Sequence, residues 1–121
     1  MKGLAVRARG RVRPTPGAMN KTEEAYASYL EARRLGGEIH AWRFEPMRLR
    51  LASRTFYEPD FLVIERGGEV EFHEVKGHWE DDARVKIKVA ATQYPWFRFT
   101  GVTRKRKVWQ FEDFPARWSG S

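Results

Sequence analysis

The sequence predicts a single-domain α/β protein, a mixed sheet with helices against it. Three observations carry that reading: a length of 121 residues, two helical stretches enclosing a run of strand-like segments, and a tight hairpin signal at Arg66-Gly67-Gly68. A chain of this length buries one core and is too short for two. With 41% hydrophobic and 14% aromatic residues, it is too apolar to remain wholly disordered.

Residues 1–18 hold Lys2, Arg7, Arg9, Arg11 and Arg13 without an acidic residue, and Pro14, Pro16 and Gly17 interrupt regular structure. They are expected to form a flexible basic arm. Residues 20–35 read as a helix, with Tyr26, Tyr29, Leu30 and Leu35 near one face and Gly36-Gly37 as a stop. Residues 38–45 read as a strand ending at Pro46. Met47, Leu49 and Leu51 then alternate with Arg48, Arg50 and Ala52, the pattern of a half-buried strand. Phe61-Leu62-Val63-Ile64 is continuously apolar, as in a strand covered on both faces. Residues 69–76 return from the hairpin. Residues 80–94 read as a second helix, with Ala83, Ile87, Ala90 and Tyr94 on one stripe, and residues 96–102 and 108–111 supply two more strands. The domain is expected to span 19–114, with a tail at 115–121.

Several chemistries are excluded at once. Cysteine is absent, which removes a disulfide framework, a thiolate nucleophile and any cysteine-containing zinc site. His40, His73 and His78 are too scattered for a zinc site, and His73 belongs on the opposite strand face from Glu74. No glycine loop suited to cradling phosphates occurs. No apolar run approaches the roughly 20 residues that span a bilayer, and the basic N-terminus lacks an apolar core segment, so a soluble, cytosolic protein without a membrane partner is expected.

The charge balance points to a polyanion. Lys and Arg number 23 against 16 Asp and Glu, a net charge of +7. Without the five charges of the arm the remainder is about +2, so the excess sits in the arm and in Arg104, Lys105, Arg106 and Lys107. Such patches suit a phosphate backbone; the competing reading is a basic tail that only solubilises.

The hairpin brings two carboxylates together. A three-residue loop centred on position 67 pairs Asp60 with Glu74, whose Cβ atoms would then lie roughly 5 Å apart. Two carboxylates at that range can share a divalent cation; without one they repel and raise each other's pKa. On the returning strand Val70 and Phe72 share a face with Glu74 and Lys76, so an apolar stripe ends in two charges. Buried charges of this kind persist mostly at functional sites. The alternative is a stripe that leaves the sheet, with Glu74 and Lys76 as a solvated ion pair.

Pro59-Asp60, then Glu74-Val75-Lys76 fourteen positions on, match the PD-(D/E)xK nuclease motif. The flanking stretches Tyr57-Glu58-Pro59-Asp60-Phe61-Leu62 and Glu74-Val75-Lys76-Gly77-His78-Trp79-Glu80-Asp81-Asp82, continuing through Arg84, Lys86 and Gln93 to Pro95, resemble the phage-type endonuclease I that resolves Holliday junctions. They are also similar to small uncharacterised phage-encoded proteins. The resemblance covers roughly residues 20–102 and is most specific over 57–95. It implies a restriction-endonuclease-like fold, a metal-dependent DNA endonuclease selective for branched DNA, and an acidic residue on the first helix at Glu23. Glu23 also fits a capping box with Asn20, and Glu24 is its neighbouring candidate.

Phosphodiester chemistry then assigns expectations to residues. Asp60, Glu74 and the carbonyl of Val75 are hard oxygen ligands suited to Mg²⁺ or Mn²⁺, with Glu23 as a further ligand. The metal would supply a Lewis acid and an activated water. Lys76 would orient or deprotonate that water, or stabilise the developing charge. Arg84, Lys86, Arg104, Lys105, Arg106 and Lys107 are candidate DNA contacts, although Arg84 and Lys86 equally suit a solvated helix surface. Glu80, Asp81 and Asp82 read as a helix cap. Trp79 and Trp96 can stack on bases, but core packing is the preferred reading. A junction with two symmetric scissile phosphates implies a homodimer. Alternatives are a nuclease of the same fold acting on plain duplex or single strands, and a degenerate nucleic-acid-binding module.

Overall fold

Asn20 starts the first helix, α1 (Lys21–Leu35): its side chain accepts the Glu23 N–H while the Glu23 carboxylate accepts the Asn20 N–H, a complete capping box. The computed structural model describes residues 17–79 and 81–115, so all but the last two residues of the basic arm, Glu80 and nearly all of the tail lie outside it. Seven strands follow in chain order with a second helix among them: β1 (Ile39–Phe44), β2 (Leu49–Ala52), β3 (Thr55–Tyr57), β4 (Phe61–Glu65), β5 (Val70–Val75), α2 (Asp81–Gln93), β6 (Arg98–Lys105) and β7 (Val108–Asp113).

The central sheet has the order β1-β4-β5-β6-β7. Every neighbouring pair is antiparallel except β5 and β6, which are parallel and joined by α2, as a parallel connection requires. The expected mixed α/β architecture is therefore present. α1 covers one face, where Tyr26 and Leu30 pack on Phe61, Val63, Val75 and Val102. α2 covers the other, where Ile87, Ala90 and Ala91 join Phe72 and Phe99. β4 is thus enclosed on both sides, as its unbroken apolar run implies.

Four local expectations need correction. The alternating segment at 47–52 does not enter the central sheet: β2 pairs with β3, which is too short to carry a sequence signal, in a separate two-stranded sheet beside α2. Leu35, the last residue of α1, is 72% exposed: nine residues after the buried Tyr26, it lies about 180° around the helix from the sheet-facing side. Trp96 is 76% exposed in the turn before β6 and does not pack in the core. β6 starts at Arg98 and runs through Arg104 and Lys105, so only Arg106 and Lys107 form the turn, both with positive φ (53° and 65°). Two such residues in succession are what a type I′ hairpin demands, normally of Asn or Gly.

Candidate active site

The hairpin between β4 and β5 has the three-residue loop expected. The Glu65 N–H donates to the Glu69 carbonyl across 2.9 Å, and Gly68 supplies the left-handed residue at φ 98°. Phe61 consequently pairs with His73, and Asp60, one residue earlier, falls opposite Glu74. Both carboxylates are buried, 8% exposed each.

Each is held by a donor. Asp60 Oδ2 accepts the Val75 N–H at 2.8 Å. Glu74 Oε1 accepts the Tyr57 hydroxyl at 2.9 Å, and its Oε2 lies 3.2 Å from Lys76 Nζ. Asp60 Oδ1 accepts no hydrogen bond from a described residue. The N–H and C=O of one residue in a strand emerge on the same side, so the Val75 carbonyl shares the Asp60 side, while the Lys76 N–H turns to the Val102 carbonyl of β6.

Burial pushes the Asp60 carboxyl well above the ordinary carboxylate range and the facing Glu74 pushes it further, with the Val75 N–H opposing. Burial also raises Glu74, against the pull of Lys76 and Tyr57. For Lys76 burial alone would lower the pKa, but Glu74 and Asp60 outweigh it and the ammonium is held above its usual value. Tyr57 is raised by burial and by the adjacent Glu74. Glu23, 3% exposed, acts electrostatically on both Asp60 and Lys76. Cap and site neighbour are therefore compatible roles for this one side chain.

Two buried carboxyl groups, Asp60 and Glu74, face the Lys76 ammonium. Among the described residues, no three His, Asp or Glu side chains stand close enough to form a metal site by themselves. A pair of carboxylates with an uncommitted oxygen and a nearby carbonyl does fit Mg²⁺, which takes one or two carboxylates and completes its shell with water and phosphate.

A cleft of about 420 Å³ opens on the site, lined by Glu74, Lys76, Tyr57, Arg48, Lys86 and their neighbours. Lys86 is thus brought to the candidate catalytic residues. Arg84 is not: two positions apart on a helix is about 200° of rotation, and Arg84 faces β7, where its Nη1 donates to both Glu112 oxygens at 2.8 and 2.7 Å. Its guanidinium also lies 5.5 Å from the Trp79 ring. Trp79 itself packs on Phe114 and on Gly101, in line with the core reading. The basic run extends past the same end of the sheet as Lys76, since Val102 pairs with Val75 and the Arg106-Lys107 tip lies about 13 Å further on at 3.3 Å per residue. Arg104 lies over Trp109, 4.7 Å from the ring centroid.

On the opposite face from Glu74, as expected, His73 is buried between two partners. Its Nδ1 lies 2.6 Å from the Tyr26 hydroxyl and its Nε2 lies 2.8 Å from Glu71 Oε1. Sequence reasoning assigned no role to Tyr57 or Arg48. Tyr57 stands within the stretch carrying the family resemblance, and Arg48 gave no signal beyond strand alternation.

No protein-family model, curated protein or solved structure matches this chain. No helix among the described residues is long and apolar enough to cross a membrane.

Proposed function

We propose that the chain is a metal-dependent DNA endonuclease of the PD-(D/E)xK kind, resembling phage endonuclease I, selective for branched DNA and working as a homodimer in a cytoplasm. The observation that supports this best is the buried Asp60–Glu74 pair with Lys76 Nζ 3.2 Å from Glu74. A module that only binds DNA gains nothing from buried carboxylates that repel phosphate.

Asp60, Glu74 and the Val75 carbonyl would hold Mg²⁺ or Mn²⁺, which supplies Lewis acidity to phosphodiester hydrolysis. The chain's own groups do the positioning. The Val75 N–H fixes Asp60 and the Tyr57 hydroxyl fixes Glu74, so neither carboxylate has to reorganise during reaction. Lys76, on the cleft wall, places a cation beside the scissile phosphate and orients the attacking water. Glu23 adds its negative charge near Asp60 and Lys76 from α1, and does not join Asp60 and Glu74 in a three-acid metal group as the resemblance implies. Lys86 lies along the substrate path in the cleft, and the basic tip at 104–107 reaches a neighbouring stretch of backbone.

Incubating the protein with four-way junction, fork, duplex and single-stranded DNA, with Mg²⁺, with Mn²⁺ and with EDTA, tests the reading. Mg²⁺-dependent cleavage favouring the junction is expected. Cleavage undiminished in EDTA, or none on any substrate with either metal, overturns it.

A further inference from the structure

Arg48 is a cation of the cleft that phosphodiester hydrolysis at Asp60 and Glu74 leaves without a role. It immediately precedes β2, and the small sheet beside it is fastened at three points: Tyr57 to Glu74, Gln93 Nε2 to the Leu51 carbonyl at 3.0 Å, and the Tyr94 hydroxyl to the Arg50 carbonyl at 2.7 Å. Arg48 therefore stands on a fixed wall rather than on a loose loop.

Its guanidinium is also oriented. The carbon Cζ lies 4.1 Å from the Phe56 ring centroid, and Nε is 3.4 Å from Glu58 Oε2. One face and one edge are thereby occupied, while the two terminal nitrogens have no partner among the described residues. The side chain is 57% exposed and lines the same cleft as Glu74, Lys76 and Lys86. A planar fork with two uncommitted donors matches a tetrahedral phosphate, which accepts paired N–H bonds from Arg better than from Lys.

We infer that Arg48 is a phosphate-binding residue, taking a nucleic-acid phosphate adjacent to the one presented to Glu74 and Lys76, with Lys86 contributing from the α2 wall. The inference rests on the endonuclease reading for the identity of the polyanion. The small sheet then serves the site at both ends, orienting Glu74 through Tyr57 at one and gripping the presented strand through Arg48 at the other.

The proposal is tested by fluorescence anisotropy of labelled junction and single-stranded DNA in EDTA, over a salt series, with parallel cleavage assays in Mg²⁺ and in Mn²⁺. Arg48→Ala should raise Kd by about tenfold, the scale of a charge-assisted contact, and flatten the salt slope by about 0.9, one phosphate contact. Arg48→Lys should recover the slope but only part of the affinity. Because Arg48→Ala also exposes Glu58, the double variant Arg48→Ala/Glu58→Ala is included and should stay weak. Unchanged affinity and slope in Arg48→Ala, or full recovery in the double variant, overturns the inference. Wild-type binding with the Arg48 effect but no cleavage in Mg²⁺ or Mn²⁺ overturns the endonuclease reading and leaves Arg48 standing. Wild-type protein that binds neither DNA overturns both.

Discussion

The Tyr57 hydroxyl donates to Glu74 Oε1 across 2.9 Å, so the small sheet meets the central sheet at a candidate catalytic carboxylate. Tyr57→Phe keeps the ring packing and removes this donor from a buried carboxylate. A stability loss of about 1–3 kcal/mol is expected, together with a cleavage rate lowered by about tenfold as Glu74 loses its fixed orientation. Urea melts and single-turnover cleavage read the two effects; an unchanged melt would mean the hydrogen bond contributes nothing.

Asp60 and Glu74 bind protons more tightly folded than unfolded, because both are buried and Asp60 faces Glu74. The stability they confer is present below the ordinary carboxylate range and is lost as pH rises through their raised folded values. Asp60→Asn removes one of these titrations and can still accept the Val75 N–H. In EDTA its Tm should exceed that of the wild type at pH 8, with the gap closing toward pH 4. Added Mg²⁺ should raise the wild-type Tm and leave that of Asp60→Asn nearly unmoved. A variant less stable than wild type at pH 8 contradicts this account of the pair.

Gly101 pairs directly with Glu74, and a Cβ there would lie 2.6 Å from Trp79 Cζ2 and 3.0 Å from Phe114 Cε2. Gly101→Ala should destabilise by about 1–3 kcal/mol through overpacking. Combining it with Trp79→Leu should restore part of that loss in a double-mutant cycle. Strict additivity of the two changes would place the strain elsewhere.

Glu23 carries two jobs that substitution can separate. Glu23→Gln retains an oxygen for the Asn20 N–H, so stability should change by less than about 1 kcal/mol. Loss of the charge beside Asp60 should slow cleavage by about tenfold or more, equivalent to about 1.4 kcal/mol of barrier. Normal cleavage would confine Glu23 to the cap.

The elements with strong local signals were legible in the sequence. Asn20 and Glu23 announce a capping box, Gly67-Gly68 sets the hairpin register, and that register alone puts Asp60 opposite Glu74. What escaped was set by tertiary contacts. β3 is three residues long and pairs only with β2, so no periodicity marks it. The roles of Tyr57 and Arg48 depend on where the small sheet docks, a relationship between segments far apart in the chain. Arg84 and Lys86 looked equivalent by spacing from the motif, yet helical rotation sends one to Glu112 and the other to the cleft.

The central claim is that Asp60 and Glu74 form a metal-dependent catalytic pair, and the most direct measurement is junction cleavage in Mg²⁺ by Asp60→Ala and Glu74→Ala beside wild type, with binding followed in EDTA. The account predicts rates lowered by several orders of magnitude with binding retained or tightened, since each substitution removes a ligand and a negative charge facing phosphate. Folded variants that cut at the wild-type rate would contradict it.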